Sequence, residues 1–280
     1  MLEDRREHHA CHAVRGVHHD AQRANHVDVD EGEHLCDETA PDVLASDGAA
    51  PRGRPETRLG APADLGVAYD GDADRCFFVD DTGEFVPGDF VTALLAEAVL
   101  SKAPGEKVIY DVRASRAVPE TIARAGGTPL VNRVGHAFIK QRMRAEDAVF
   151  AGEVSAHYYF RDFSQADTGV VPFLVMLELL SRSETRLSQL LRPYRDRFFL
   201  TGEINTPVAD VPLKLQELKE RYTAEGGRVS HLDGISIDFD DWHFNVRPSN
   251  TEPLLRLNLE ALSEEQMIEK RDEVLGVIRA

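Results

Sequence analysis

Leu65-Gly66-Val67-Ala68-Tyr69-Asp70-Gly71-Asp72-Ala73-Asp74-Arg75 is the stretch on which the reading of this chain turns. Its first five residues, mostly apolar, read as a short buried strand. A loop follows at once with carboxylates at i, i+2 and i+4, and Gly71 and Ala73 keep it compact enough for Asp70, Asp72 and Asp74 to converge. Three acids held together repel one another unless a cation sits between them. Oxygen-only ligands at a strand end suit a hard divalent ion; Mg²⁺ is the expected occupant, with positions left open for substrate oxygens. Arg75, directly behind, offers a planar donor fork to a phosphate or carboxylate beside the metal. A solvated acidic turn is the rival reading, and the apolar strand speaks against it. An EF-hand loop needs Gly where Arg75 stands and Glu where Asp81 stands. A phosphatase loop with an Asp-x-Asp nucleophile pair normally continues with Thr or Val in place of Asp74.

The 280 residues are enough for two domains or three small ones. At 42% hydrophobic and 29% charged, the composition is that of an ordinary globular protein. No run approaches the ~18 apolar residues of a membrane span, and the N-terminus lacks the apolar core of a signal peptide. Cys11, Cys36 and Cys76 form an odd, widely spaced set, so no disulfide framework is expected and the cytoplasm is the default setting. A net charge of -17 argues against nucleic acid and anionic membranes as partners. A phosphate-ester ligand therefore has to be drawn in by a local arginine cluster and a metal.

Residues 1–57 differ from the rest. Seven of the eleven histidines fall between His8 and His34, among Asp, Glu and Arg and with no sustained apolar period. His8, His9, Cys11 and His12 lack a second Cys/His pair at zinc spacing, so a disordered polar leader is expected. From Leu65 onward strands and helices alternate. Cys76–Asp80 and Glu84–Val86 flank a Gly-containing turn. Helices are expected over Phe90–Leu100, Ser115–Ala125, His136–Arg144 and along the stripe Val170, Phe173, Leu174, Leu177; strands over Val108–Tyr110, Pro129–Val131 and Ala148–Ala151. This is an α/β pattern, a right-handed βαβ sandwich with ligand loops at the carboxyl ends of its strands. Near Phe199–Thr201 the pattern changes. A helix capped by Asp210, the strands Arg228–Leu232, Ile235–Phe239, Trp242–Val246 and Leu254–Leu259, and a last helix opened by Ser263 as a capping box make a small α+β domain over 201–280. Boundaries are expected at about residues 85 and 200.

Two further stretches carry chemistry. Gly152-Glu153-Val154-Ser155-Ala156-His157 alternates polar and small residues; an extended loop would turn Glu153, Ser155 and His157 to one side, a set suited to sugar hydroxyls, and a loop capping the sheet with His157 packed on Tyr158 and Tyr159 is the equal rival on residue types alone. In Arg247-Pro248-Ser249-Asn250-Thr251 the proline fixes a turn; three short side chains and their amides offer an anion-binding concavity beside the Arg247 fork, and an ordinary polar turn is the rival reading that Ser-Asn-Thr alone would favour.

With Asp70-Gly71-Asp72-Ala73-Asp74-Arg75, these stretches resemble, in the same order, the signature loops of the α-D-phosphohexomutases, the phosphomannomutase and phosphoglucomutase family. The resemblance covers roughly residues 60–280. It implies Mg²⁺-dependent phosphoryl transfer between O1 and O6 of a hexose phosphate or bisphosphate of the mannose or glucose type. It also implies the roles: Asp70, Asp72 and Asp74 as metal ligands, with Arg75 assisting transfer. Glu153, Ser155 and His157 would read the sugar, joined by His136 of a Gly135-His136 segment with Lys140 one turn on, and by Arg113 after a strand. Arg247, Ser249, Asn250 and Thr251 would hold the non-reacting phosphate. Residues 58–84 would then be a remnant of the second domain, 85–200 the sugar-binding third and 201–280 the phosphate-binding fourth. Ala156 departs from the Gly common in the family. No Thr-Ala-Ser-His-Asn-Pro-like nucleophile run occurs, and Ser46 lacks its context. The expectation is a chain truncated ahead of these domains, with residues 1–57 a misassigned start, and without turnover alone. The alternatives are a non-catalytic phosphosugar-binding remnant and a phosphatase with Asp70 as nucleophile.

Overall fold

The computed structural model describes residues 11–14, 63–249 and 252–280. Apart from Cys11–Val14, the leader expected over 1–57 lies outside the described residues. The first sheet has four antiparallel strands in chain order: β1 (Cys11–Val14), β2 (Leu65–Tyr69), β3 (Cys76–Val79) and β4 (Phe85–Val86). Leu65 and Val67 point inward, as a period of two requires. Asp80 holds the β3–β4 turn by accepting from the Thr82 and Glu84 amides, and Gly83 takes the left-handed conformation there. Helix α1 (Gly88–Lys102) follows, buried continuously from Gly88 to Ala96. A helix covered on all sides needs no polar face, which is why its apolar residues show no single stripe.

The second sheet gathers β5 (Lys107–Asp111), β6 (Thr128–Asn132), β7 (Phe150–Gly152), β8 (Tyr158–Phe160) and β9 (Ala166–Asp167) in the order β6-β5-β7-β8-β9. Strand β5 runs parallel to β6 and β7, while β8 and β9 return antiparallel. Helix α2 (Ala117–Arg124) connects β5 to β6, α3 (His136–Glu146) connects β6 to β7, and α4 (Val170–Arg182) and α5 (Leu187–Arg195) follow β9. Because β5, β6 and β7 share a direction, the segments bearing Arg113, Gly135 and Glu153 leave the sheet on one rim. Apolar side chains from both sides of residue 85 share one core, from Leu65 through Phe90, Phe150 and Tyr158 to Phe198. Helix α4 is turned differently from the expected stripe: Pro172, Met176 and Leu180 are buried, whereas Val170 and Leu174 are exposed. Its sequence is apolar nearly all round, so spacing alone does not choose the face.

The third sheet, order β10-β14-β13-β12-β11, is antiparallel throughout and comprises β10 (Phe199–Pro207), β11 (Arg228–Ser230), β12 (Ile235–Asp238), β13 (Trp242–Pro248) and β14 (Leu254–Ala261). Between Leu200 and Glu203, β10 carries one residue more than β14 opposite, a bulge with Gly202 at positive φ. Helix α6 (Val211–Ala224) begins at Asp210, whose carboxylate accepts from the Leu213 amide. Helix α7 (Glu264–Arg279) begins at Ser263, whose hydroxyl accepts from the Gln266 amide. Gln266 itself donates to Asp241, so only the forward half of the expected capping box forms. Tyr222, Trp242 and Phe244 are centred in this body's own core. Arg116 crosses the seam to the second sheet's body and donates to the carbonyl oxygens of Phe239, Asp240 and Trp242. Among the described residues no helix is long and apolar enough to cross a membrane.

Candidate functional site

The loop after β2 folds tightly, with the Ala73 amide donating to the Asp70 carbonyl and Ala73 itself left-handed. One carboxylate oxygen from each of Asp70, Asp72 and Asp74 comes within 4.8 Å of the others. Asp70 is buried; one oxygen accepts from the Arg75 amide and the other from Arg75 Nε. Burial alone would raise the Asp70 carboxyl, but the Arg75 hydrogen bonds and charge outweigh it and hold it below the usual range. Asp74 goes the other way: burial raises it, and Asp70 and Asp72 add to this against the pull of His157. Asp74 Oδ1 is buried with no hydrogen-bond partner. An orphaned carboxylate oxygen facing two further acids is the donor set of a hard divalent cation, so these residues fit Mg²⁺.

This loop and the Glu153 loop are joined directly. Arg75 and His157 form an isolated antiparallel bridge, the Cys76 amide donates to the Ala156 carbonyl, and His157 Nε2 lies 3.5 Å from Asp74 Oδ2. The segment 153–156 is a tight turn closed by the Ala156 amide on the Glu153 carbonyl, with Ala156 at φ 68°, so the extended loop expected from the alternation is corrected. A left-handed residue explains why glycine suits this position. The turn, rather than a pleat, brings the polar groups together: Ser155 Oγ is 2.9 Å from His157 Nδ1, and Glu153 Oε2 is 4.0 Å from it. Glu153 is 2% exposed; it accepts from the Gly135 amide at 2.9 Å and from the Tyr159 hydroxyl at 2.6 Å. It therefore ties the Gly135-His136 segment to the 153–157 turn. His136 at the start of α3 is exposed, its Nδ1 3.9 Å from Asp167, and Lys140 pairs with the same carboxylate. Burial would raise Asp167, but Lys140 holds it low. Asp167 also stands with Asp74 and His157 as a second potential cation cluster. No motif pointed to it, since it comes from a two-residue strand.

At the β5 end, Arg113 differs from an open basic contact. Its side chain is 7% exposed, bidentate to Asp111 at 3.0 and 2.9 Å and 3.5 Å from Glu203 of β10. A buried guanidinium so paired is already committed. Asp111 also accepts from the Val154 amide of the 153–157 turn at 2.8 Å. Arg247 on β13 donates to Glu203 at 2.9 Å, and Arg256 on β14 donates to the other Glu203 oxygen at 3.1 Å and to Ser249 Oγ at 3.3 Å. Asn250 and Thr251 lie outside the described residues. Glu203 and Arg256 escaped the sequence reading because their partners come from distant strands.

The fold and site together define an α/β protein with a loop of three converging carboxylates, a hydroxyl-bearing loop bonded to it and an arginine cluster on the adjoining α+β body. Known families agree with that outline. Residues 87–197 match the phosphoglucomutase/phosphomannomutase alpha/beta/alpha domain III, and residues 203–277 match the C-terminal domain of the same family. Phosphomannomutase of Escherichia coli K12 is 45% identical over 213 residues, 76% of this chain and 47% of that protein. A phosphoglucomutase/phosphomannomutase family protein from Burkholderia thailandensis superposes with a TM-score of 0.69 at 30% identity, over 78% of this chain and 47% of the other. N-acetylphosphoglucosamine mutase of Aspergillus fumigatus, solved with GlcNAc-6P and magnesium, shares the fold at 16% identity and a TM-score of 0.59, over 82% of this chain and 51% of the other. The chain belongs to the phosphoglucomutase/phosphomannomutase family. It spans about half the length of the curated relatives it matches.

Proposed function

We propose that this chain supplies the metal loop, the sugar-reading loop and the phosphate clamp for Mg²⁺-dependent phosphoryl transfer between O1 and O6 of a hexose phosphate. The observation that carries the proposal is the continuous bonding of the three places. The acidic loop is bridged to the sugar loop at Arg75–His157, and the sugar loop reaches the arginine cluster through Asp111 and Arg113. Asp70, Asp72 and Asp74 would hold the Mg²⁺, which when bound neutralises phosphoryl oxygens. Arg75 keeps Asp70 ionised and stands beside the same oxygens. Ser155 and His157 offer hydroxyl and imidazole to the sugar ring, with Glu153 setting the turn that presents them. His136 and Lys140 flank that face through Asp167. Arg247 and Ser249, with Asn250 and Thr251, hold the non-reacting phosphate. Arg113 enters this reading as the link behind the clamp, its fork being taken by Asp111.

No serine of the chain stands in a Thr-Ala-Ser-His-Asn-Pro-like run. The phosphoryl acceptor is therefore expected from elsewhere, and this chain on its own to bind without turnover. Engagement of both Asp70 oxygens by Arg75 argues against Asp70 as a phosphatase nucleophile. Calorimetric titration with Mg²⁺ and then with mannose 6-phosphate or glucose 6-phosphate tests the reading. Binding of sugar phosphate that strengthens with Mg²⁺, and a Mg²⁺ affinity lowered about tenfold or more in Asp72→Asn, support it. Absence of sugar-phosphate binding at millimolar ligand overturns it.

A further inference from the structure

Glu203 occupies a position that neither the sequence motifs nor the proposed chemistry accounts for. It is an acid inside the pocket that is read as gripping an anion. One oxygen takes Arg247 Nη2 at 2.9 Å with Arg113 Nη1 at 3.5 Å; the other takes Arg256 Nη1 at 3.1 Å. Burial would raise this carboxyl, but Arg247, Arg113 and Arg256 outweigh it and keep it low, so it is an anion at neutral pH. Three guanidiniums against Glu203 and Asp111 leave one positive charge in excess. Arg247 is 8% exposed, and both Arg247 Nε and Arg256 Nε are buried donors without a partner. Unmet buried donors at a cationic centre mark a place for a second anion.

We infer that Glu203 is a built-in counter-anion: it holds Arg247 and Arg256 as a pair while the clamp is empty and competes with the incoming phosphate for them. The proposal rests on the phosphate-clamp reading and adds the residue that sets its strength. Anchored by Arg113, and through Asp111 by the Val154 amide, Glu203 stays in place as the phosphate arrives. An anion must then make enough contacts to outweigh the repulsion of a fixed carboxylate. A phosphate with several oxygens does so, and a simple monoanion does not.

Titration with inorganic phosphate at fixed ionic strength tests this on the wild-type chain, E203Q and E203D. Removing the charge in E203Q tightens phosphate about tenfold or more, because a close like charge is gone from a half-buried site. E203D, whose carboxylate is withdrawn by one methylene, tightens it about threefold, and this arm decides the matter if E203Q does not fold. Adding Arg247→Ala to E203Q abolishes the gain. A purely structural Glu203 predicts weaker binding in both variants. If wild type binds phosphate and the variants bind equally or more weakly, the Glu203 proposal falls and the clamp reading stands. If no form binds, both fall; binding by E203Q alone upholds the competition.

Discussion

Glu153 gives one carboxylate oxygen to the Gly135 amide and the other to the Tyr159 hydroxyl, and it does so at 2% exposure. An amide in its place keeps one acceptor oxygen for the Gly135 amide, loses the charge from both bonds and forces the Tyr159 hydroxyl to turn from donor to acceptor. Glu153→Gln is therefore expected to cost about 1–3 kcal/mol of stability, measured by urea unfolding, with sugar-phosphate affinity falling alongside. At the proposed clamp, Arg247→Ala would remove a charge-assisted contact valued at roughly 1.5–3 kcal/mol and is expected to weaken sugar-phosphate binding more than tenfold by calorimetry. The geometry of the acidic loop was legible at this scale. Asp70, Asp72 and Asp74 sit within one loop, so their convergence follows from spacing alone. The commitment of Arg113 was not legible: Asp111 two residues before takes its fork, and Glu203, its second acid, comes from another sheet. The role of Ala156 was visible only as a departure, because its positive φ belongs to a turn the alternating pattern disguised.

Helix α1 and the turn at 153–156 are in contact at Gly88, where an added Cβ would sit 2.4 Å from the Val154 carbonyl oxygen. Backbone cannot rotate aside as a flexible side chain would. Gly88→Ala is expected to cost about 2 kcal/mol or more, lowering the melting temperature by roughly 4–8 °C in calorimetry, since a chain of this size shifts ~2–4 °C per kcal/mol. Elements with a clear cap or turn were read correctly from sequence, as with α6 after Asp210, α7 after Ser263, and the β3–β4 hairpin. Those missed were short or contradictory: β8 and β9 are two or three residues long, and α5 contains Pro193. The apolar face of α4 was misjudged because tertiary packing, not period, selects it.

Across the whole molecule, the seam between the second and third sheets holds a small, partly open cavity where Asp89, Arg113, His243 and Glu260 meet Val154, Leu200 and Leu259. Burial pushes Glu260 up to about 7, with Asp89 adding and Ser115 and Arg116 opposing; burial pushes Asp89 up to about 6, against the Ser115 amide, with Asp111 raising and Arg113 lowering. Burial also drives His243 down to about 3, so it stays neutral here. Both acids bind protons more tightly folded than unfolded. Below their unfolded pKa values near 4 neither contributes; as pH rises toward 7 the unfolded chain releases protons first, and stability falls. Melting temperature should drop between about pH 4 and pH 7, and Glu260→Gln should flatten about half of that slope, a difference of about 2–3 kcal/mol at pH 7 and above. A wild-type curve that rises over this interval would refute the assignment. The extra residue in β10 has its own bearing on this junction. Side chains along a strand keep strict odd–even parity, so the spacer at Gly202 decides which way Glu203 looks. Deleting it would restore an unbroken ladder and send the carboxylate to the opposite side of the sheet, giving tidier hydrogen bonding and leaving Arg247 and Arg256 with no internal anion.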